Sequence, residues 1–308
     1  MINDEANVHF CLVFTKIFFS PMQQNEIFHV FKRKEIKNQK SKMKRVYLFL
    51  MVAGLTTMFV FGQKKEIRQV SGFTGINASG TFDVTVVKGS TESLTIEADE
   101  DIMPYVRSEV RNGVLHLYLD NPRRQKNVKT LKALVVMTNL DMASLSGVCK
   151  LTANDLFTPD RFTGDCSGAS QLTVNLNTDM LKIEMSGTSK IRLKAKVTNN
   201  AQLDISGASN LHGELEAAEV NLNSSGTCSV ELSGSASSIH IVTSGAANFT
   251  AGNFAVQTAI IASAGTSNIV VNAVDALEIN SSGASTVKYK GSPAIQMNIS
   301  GVAKVESF

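Results

Sequence analysis

The chain has 308 residues, 43% hydrophobic and 19% charged, with no Trp and a formal net charge of +3. That hydrophobic fraction excludes a disordered chain, and the length allows one elongated domain or two ordinary ones. Nine of the 30 Lys/Arg and four of the 27 Asp/Glu precede residue 63, so that stretch is net +5 and the remainder net −2. A mildly acidic remainder with few aromatic residues excludes nucleic acid as a partner, because a nucleic-acid footprint is basic.

Residues 1–42 read as an upstream extension ahead of the true start at Met43. From there the order is Met43-Lys44-Arg45, an uncharged run Val46 to Phe61, then Gly62-Gln63-Lys64-Lys65. A cationic start, an apolar core and a small residue before a polar stretch form the secretory signal pattern. Val60 and Gly62 suit the positions before a cleavage point, so residues 43–62 are expected to be removed. The alternative is an uncleaved anchor, although the run is shorter than the ~20 apolar residues of a spanning helix. The mature chain, 63–308, is therefore expected to be secreted, periplasmic or on the outer cell surface. It should hold no membrane-spanning segment.

Residues 72–88 form a first coil around Ser79-Gly80, with Ile76, Phe82, Val84 and Val86 in phase. An insertion follows at about 89–145. In it Leu94–Glu97 and Val114–Leu119 read as strands, the latter after the turn Asn112-Gly113, and Asp99–Val110 reads as a short helix with Pro104 in its first turn. Asn121–Thr130 is a basic loop with Arg123, Arg124, Lys126 and Lys129. A stack of coils leaves open strand edges at its ends, so this insertion is expected to be the N-terminal cap.

From residue 146 the dipeptide Ser-Gly (once Ala-Gly) returns, with its glycine at 147, 168, 187, 207, 226, 245, 265, 283 and 301. A fixed period of this kind marks a solenoid and outranks local propensity. Four residues after each glycine the side chain is always apolar, as in Leu151, Ile191, Phe249 and Val305, and the position before that is always polar. Apolar residues also occur four and six before the glycine, as in Ile183, Leu203 and Leu181. Alternation with period two on both sides of a turn means two half-buried strands per repeat, not a helix. Two after the glycine only small residues occur, Cys149 and Cys228 among them. The fold class is therefore all-β, a parallel β-solenoid of about nine to ten ~19-residue coils.

Phe73-Thr74-Gly75-Ile76-Asn77-Ala78-Ser79-Gly80, the later Glu97-Ala98-Asp99-Glu100-Asp101, Gly113-Val114-Leu115 and the Ser-Gly repeats resemble the auto-transporter adhesin "head GIN" domain family. The resemblance covers about residues 70–308. It implies a right-handed β-helical body, an envelope or secreted protein of Bacteroidetes-like bacteria, and an adhesin role with no catalytic residues to carry over.

Candidate chemistry is sparse. His116, His212 and His240 lack a second His or a Cys at ligand spacing and read as surface residues, so no metal and no cofactor are expected. Cys149, Cys166 and Cys228 are an odd number and read as buried small residues rather than a disulfide framework. Three before successive glycines stand Asp165, Glu184, Asp204 and Asn223, which stacking would place on one outward face as a polar ladder. Like charges so placed need an offset, from Lys182 or a bound cation. Residues 221–273 carry a single charged residue, Glu231, on a hydroxyl- and amide-rich face. The resulting expectation is a non-catalytic binding module for a glycan or a cell-surface protein. Two alternatives stand beside it: a β-helical carbohydrate-active enzyme using Asp165, Glu184 or Asp204, and a passive envelope scaffold.

Overall fold

The computed structural model describes residues 63–121 and 128–308, which belong to one compact unit. The upstream extension, the signal sequence and Arg123, Arg124 and Lys126 lie outside the described residues.

Each coil has an upstream leg ending at a corner glycine and a downstream leg after it. The first coil is β2 (Gly75–Gly80) and β3 (Asp83–Lys88), and the second is β8 (Met142–Gly147) and β9 (Lys150–Phe157). They pair in parallel, Gly80 on Gly147 and Val84 on Leu151. β10 (Arg161–Cys166) continues the upstream stack. Beyond it the strands run around a second bend from one corner to the next: β11 (Gln171–Met185), β12 (Lys190–Ile205), β13 (Asn210–Gly226), β14 (Ser229–Gly245), β15 (Asn248–Gly265) and β16 (Asn268–Gly283). The stack closes with β17 (Thr286–Lys290), β18 (Ala294–Gly301) and β19 (Lys304–Ser307). The two strands read per repeat are thus largely one bent strand. The expected solenoid is what the chain forms.

From six residues before each repeat glycine to four or five after it, equivalent positions pair without a shift. Every irregularity of the repeats falls later, as at Val174/Asn175, Val197/Asn200 and Thr250/Ala255. The spacing of 18 to 21 residues is therefore accommodated on the downstream leg and at the second bend.

Gly226 shows why the corner residue is invariant. Its φ is +89°, and a Cβ there would lie 2.6 Å from the carbonyl oxygen of Gly207 in the coil before. Thr227 N–H donates to that same oxygen at 2.8 Å, so the ladder passes through the corner unbroken. An L side chain meets a torsional penalty and a backbone atom at once.

The core lies between the two legs. Side chains alternate inward and outward on both, and a Cβ at Gly164 on β10 would meet Leu172 on the downstream leg of β11 at 3.2 Å. Next to the corner, two before each glycine, the inward residue changes along the stack. Leu145, Cys166, Met185 and Ile205 give way to Ser224, Thr243, Ser263 and Ser281, all buried. The hydroxyls answer one another: Thr243 donates to Ser263 at 3.2 Å, and Ser263–Ser267 and Ser281–Ser285 are short pairs. Cys149, Cys166 and Cys228 are buried free thiols in this layer. Burial pushes the Cys149 thiol up to about 11 and Cys166 up to about 12.

The N-terminal end is built by the insertion and by the first described strand. β6 (Val114–Leu119) and β7 (Leu131–Met137) stack in parallel on β2 and β3, on the side away from the second coil. β4 (Ser93–Asp99) then adds antiparallel to β7, and β1 (Gln63–Arg68) antiparallel to β4. The helix expected over Asp99–Val110 is absent. Only Met103–Tyr105 make a 3-10 turn, and β5 (Val106–Arg111) pairs antiparallel with β6. Asn112 (φ 50°) and Gly113 (φ 75°) form the two-residue turn of this hairpin, whose left-handed geometry fits strand twist. The expected basic loop is represented by Lys129, whose N–H donates to Asp99 Oδ2 at 2.8 Å.

Candidate functional site

The invariant block around the corner sets two outward columns side by side. In the column three before the glycine, Asp165 pairs with Glu184, Glu184 with Asp204, and Asp204 with Asn223, which is followed by Val242. Ser144 precedes them. In the column one before the glycine stand the corner serines. Between the two runs an open groove of about 450 Å³ lined by all four candidate residues, Val242, and Ser186, Ser206, Ser225 and Ser244. Short side chains at the corner leave this furrow; long ones would fill it.

Three carboxylates against one flanking lysine leave the groove acidic. Lys182 Nζ lies 2.5 Å from Glu184 Oε1, and that hydrogen bond, more than the charges of Glu184, Asp204 and Asp165, pushes the lysine pKa up. Asp204 accepts from Asn223 Nδ2 at 2.8 Å and from Gln202 Nε2 at 2.7 Å. Asp165 takes a longer contact of 3.5 Å from the Ser144 hydroxyl. Ser206 donates its hydroxyl to Met185 O at 2.9 Å, so what its oxygen has left to offer is acceptor capacity. The groove thus presents carboxylate and hydroxyl acceptors in an ordered row, with an ammonium at its flank.

The other candidates disperse. His212 is exposed on the opposite leg, 3.2 Å from Glu231, in a smaller 280 Å³ furrow with Arg192, Lys194 and Glu214. His116 lies on β6 in the cap and His240 on β14. Among the described residues no group of three or more His, Cys, Asp or Glu side chains converges as a metal site. Sequence reasoning foresaw the acidic column but missed the serine wall opposite it. The signal was the serine of the Ser-Gly repeat itself, read only as part of a turn.

A family model described as "Putative auto-transporter adhesin, head GIN domain" matches residues 72–200 and 195–293. No curated protein matches the chain. Among solved structures, a "putative adhesin" from Parabacteroides distasonis ATCC 8503 superposes with TM-score 0.60 at 22% identity, covering 80% of this chain and 97% of that one. A "putative adhesin" from Parabacteroides merdae ATCC 43184 gives 0.54 at 19%, covering 81% and 97%. A "putative lipid binding protein" from Parabacteroides distasonis gives 0.55 at 16%, covering 81% and 98%. At these identities the likeness is one of fold. The chain belongs to the auto-transporter adhesin, head GIN domain family.

Proposed function

We propose that this chain is a non-catalytic binding module of the cell envelope that takes a glycan along the Asp165–Val242 groove. The observation that carries this reading is the row of carboxylate and hydroxyl acceptors held at the spacing of successive coils. Sugar hydroxyls are donors, and carboxylates bind them with charge-assisted bonds. The adhesin family is consistent with an envelope or surface location. No helix among the described residues is long and apolar enough to cross a membrane.

A glycoside hydrolase needs two carboxyl groups free to act on the glycosidic bond. Here Glu184 is engaged by the Lys182 ammonium at 2.5 Å, and Asp204 by the amides of Gln202 and Asn223. That supports binding over turnover.

The test is a glycan array probed with the purified protein. One glycan class should bind, and Asp204→Ala should weaken it on the order of tenfold, about 1.4 kcal/mol, while Lys194→Ala in the second furrow leaves it intact. Turnover of a polysaccharide that Asp204→Ala abolishes would replace this reading with the enzyme. Capture by lipid vesicles with no glycan bound would replace it with the lipid binding described for one structural relative. N-terminal sequencing of the exported protein should give Gln63.

A further inference from the structure

The last coil departs from the burial rule of the coils before it. β18 continues their inward columns, with Ile295 beside Leu277, Met297 beside Ile279 and Ile299 beside Ser281, and Val305 of β19 lies beside Val287. Leu277 and Ile279 are 1% and 0% exposed, yet Ile295, Met297 and Ile299 are 38%, 53% and 40% exposed. The core is therefore open at this end, and among the described residues no strand pairs with the outer edges of β18 and β19.

The two ends are not alike. The edge strands of the cap carry Lys64, Lys65, Glu66 and Arg68 on β1, and Arg107, Glu109 and Arg111 on β5. Charges so dense on an edge discourage pairing with another strand. β18, Ala294-Ile295-Gln296-Met297-Asn298-Ile299-Ser300-Gly301, carries none.

The chemistry of the open end identifies its occupant, because it is self-complementary. Consider a twofold axis passing through both sheets at Met297 and Val305, each four residues from Gly301. It sets β18 antiparallel to β18 of a second copy, and β19 antiparallel to its own equivalent. Met297 then faces its own copy, Ile295 faces Ile299, and Val305 faces Val305, all inward. Outward, Gln296 faces Asn298 and Lys304 faces Glu306. Every apolar side chain meets an apolar one, amide meets amide, and cation meets anion. The Lys304–Glu306 contact of 2.5 Å and the Lys288–Glu306 contact of 3.2 Å within one chain would be extended across the axis.

We propose that two copies of this chain dock by their C-terminal coils, through antiparallel β18–β18 and β19–β19 pairing, into a closed dimer with a continuous core. The symmetry is isologous, so the open edges are consumed and the charged cap edges point away at both ends.

Sedimentation velocity of the purified protein over a concentration series tests this. The mass should rise to twice the monomer and stop there. Met297→Arg should leave a monomer with unchanged circular dichroism and an unchanged urea midpoint at high dilution. Lys304→Glu and Glu306→Lys should each weaken association about tenfold, and the double exchange should restore it. Met297→Cys should form a covalent dimer on mild oxidation, since directly opposed antiparallel residues lie within disulfide reach. A wild type monomeric up to about 100 µM, masses growing past two, or a dimer indifferent to Met297→Arg would each overturn the proposal.

Discussion

Replacing Gly226 by alanine separates two costs that coincide at every repeat corner. Gly226 has φ +89°, and an added Cβ would lie 2.6 Å from Gly207 O and 3.2 Å from Gly207 N. A left-handed L residue costs about 1–2 kcal/mol, and forcing an extra carbon into close-packed surroundings costs a further ~1–3 kcal/mol. The neighbour is backbone, tied into the next ladder, so it cannot swing aside as a side chain could. Gly226→Ala should therefore lose about 2–5 kcal/mol. Two comparators isolate the parts. Gly113 has φ +75° with nothing within 4 Å of its Cβ position, so Gly113→Ala should show the torsional cost alone. Gly252 shows no left-handed φ and only ordinary contacts, the nearest 3.4 Å from Phe308, so Gly252→Ala should be silent within about 0.5 kcal/mol. Urea unfolding followed by circular dichroism ranks the three, with the thermal midpoint of Gly226→Ala falling about 5–15 °C. A Gly226→Ala protein as stable as Gly113→Ala would refute the close approach of coil backbones.

Stability should also fall in alkali because of the buried thiols. Cys149 and Cys166 keep their protons up to about 11 and about 12, against 9.0 for an open thiol. Above pH ~9 the unfolded chain releases protons that the folded one retains, so stability is full below that point and declines as pH rises toward 11–12. The urea midpoint of Cys166→Ala should decline less steeply than that of the wild type between about pH 9 and 11, and parallel slopes would count against this origin. Within the hydroxyl layer, Ser267→Ala should cost about 1 kcal/mol by removing the hydroxyl that pairs with Ser263 and Thr243, which then keep only each other. Ser224→Ala should be neutral or stabilising, because the Ser224 hydroxyl is buried without a partner among the described residues. Equal effects at the two serines in urea titrations would show that the hydroxyl pairs contribute nothing specific.

The repeat was legible because its period locks residue type to depth. The apolar position four after each glycine, the small position two after it and the acidic position three before it all emerged from aligning one dipeptide. The cap was less legible because it does not repeat. Asp99–Asp101 and Pro104 look like a helix start, but Asn112-Gly113 decides the matter by folding Val106–Arg111 back on Val114–Leu119. β1, Gln63-Lys64-Lys65-Glu66-Ile67-Arg68, has no apolar alternation and is a strand only because β4 offers it an edge. The hydroxyl layer lies at a position whose residue type switches midway along the stack, so no single column rule describes it. The groove was half legible: its acidic wall follows from register, while the depth left by the corner serines is a property of the assembled surface.

The confinement of register shifts to the downstream leg and second bend has an evolutionary consequence. A residue gained or lost there leaves both walls of the groove untouched, because they lie inside the block that pairs without a shift. Gain or loss of a whole coil lengthens or shortens the row of acceptors by one rung while preserving the geometry of the rest. Reach and recognition can therefore vary separately in such a chain, one by counting coils and the other by exchanging single residues three before each glycine.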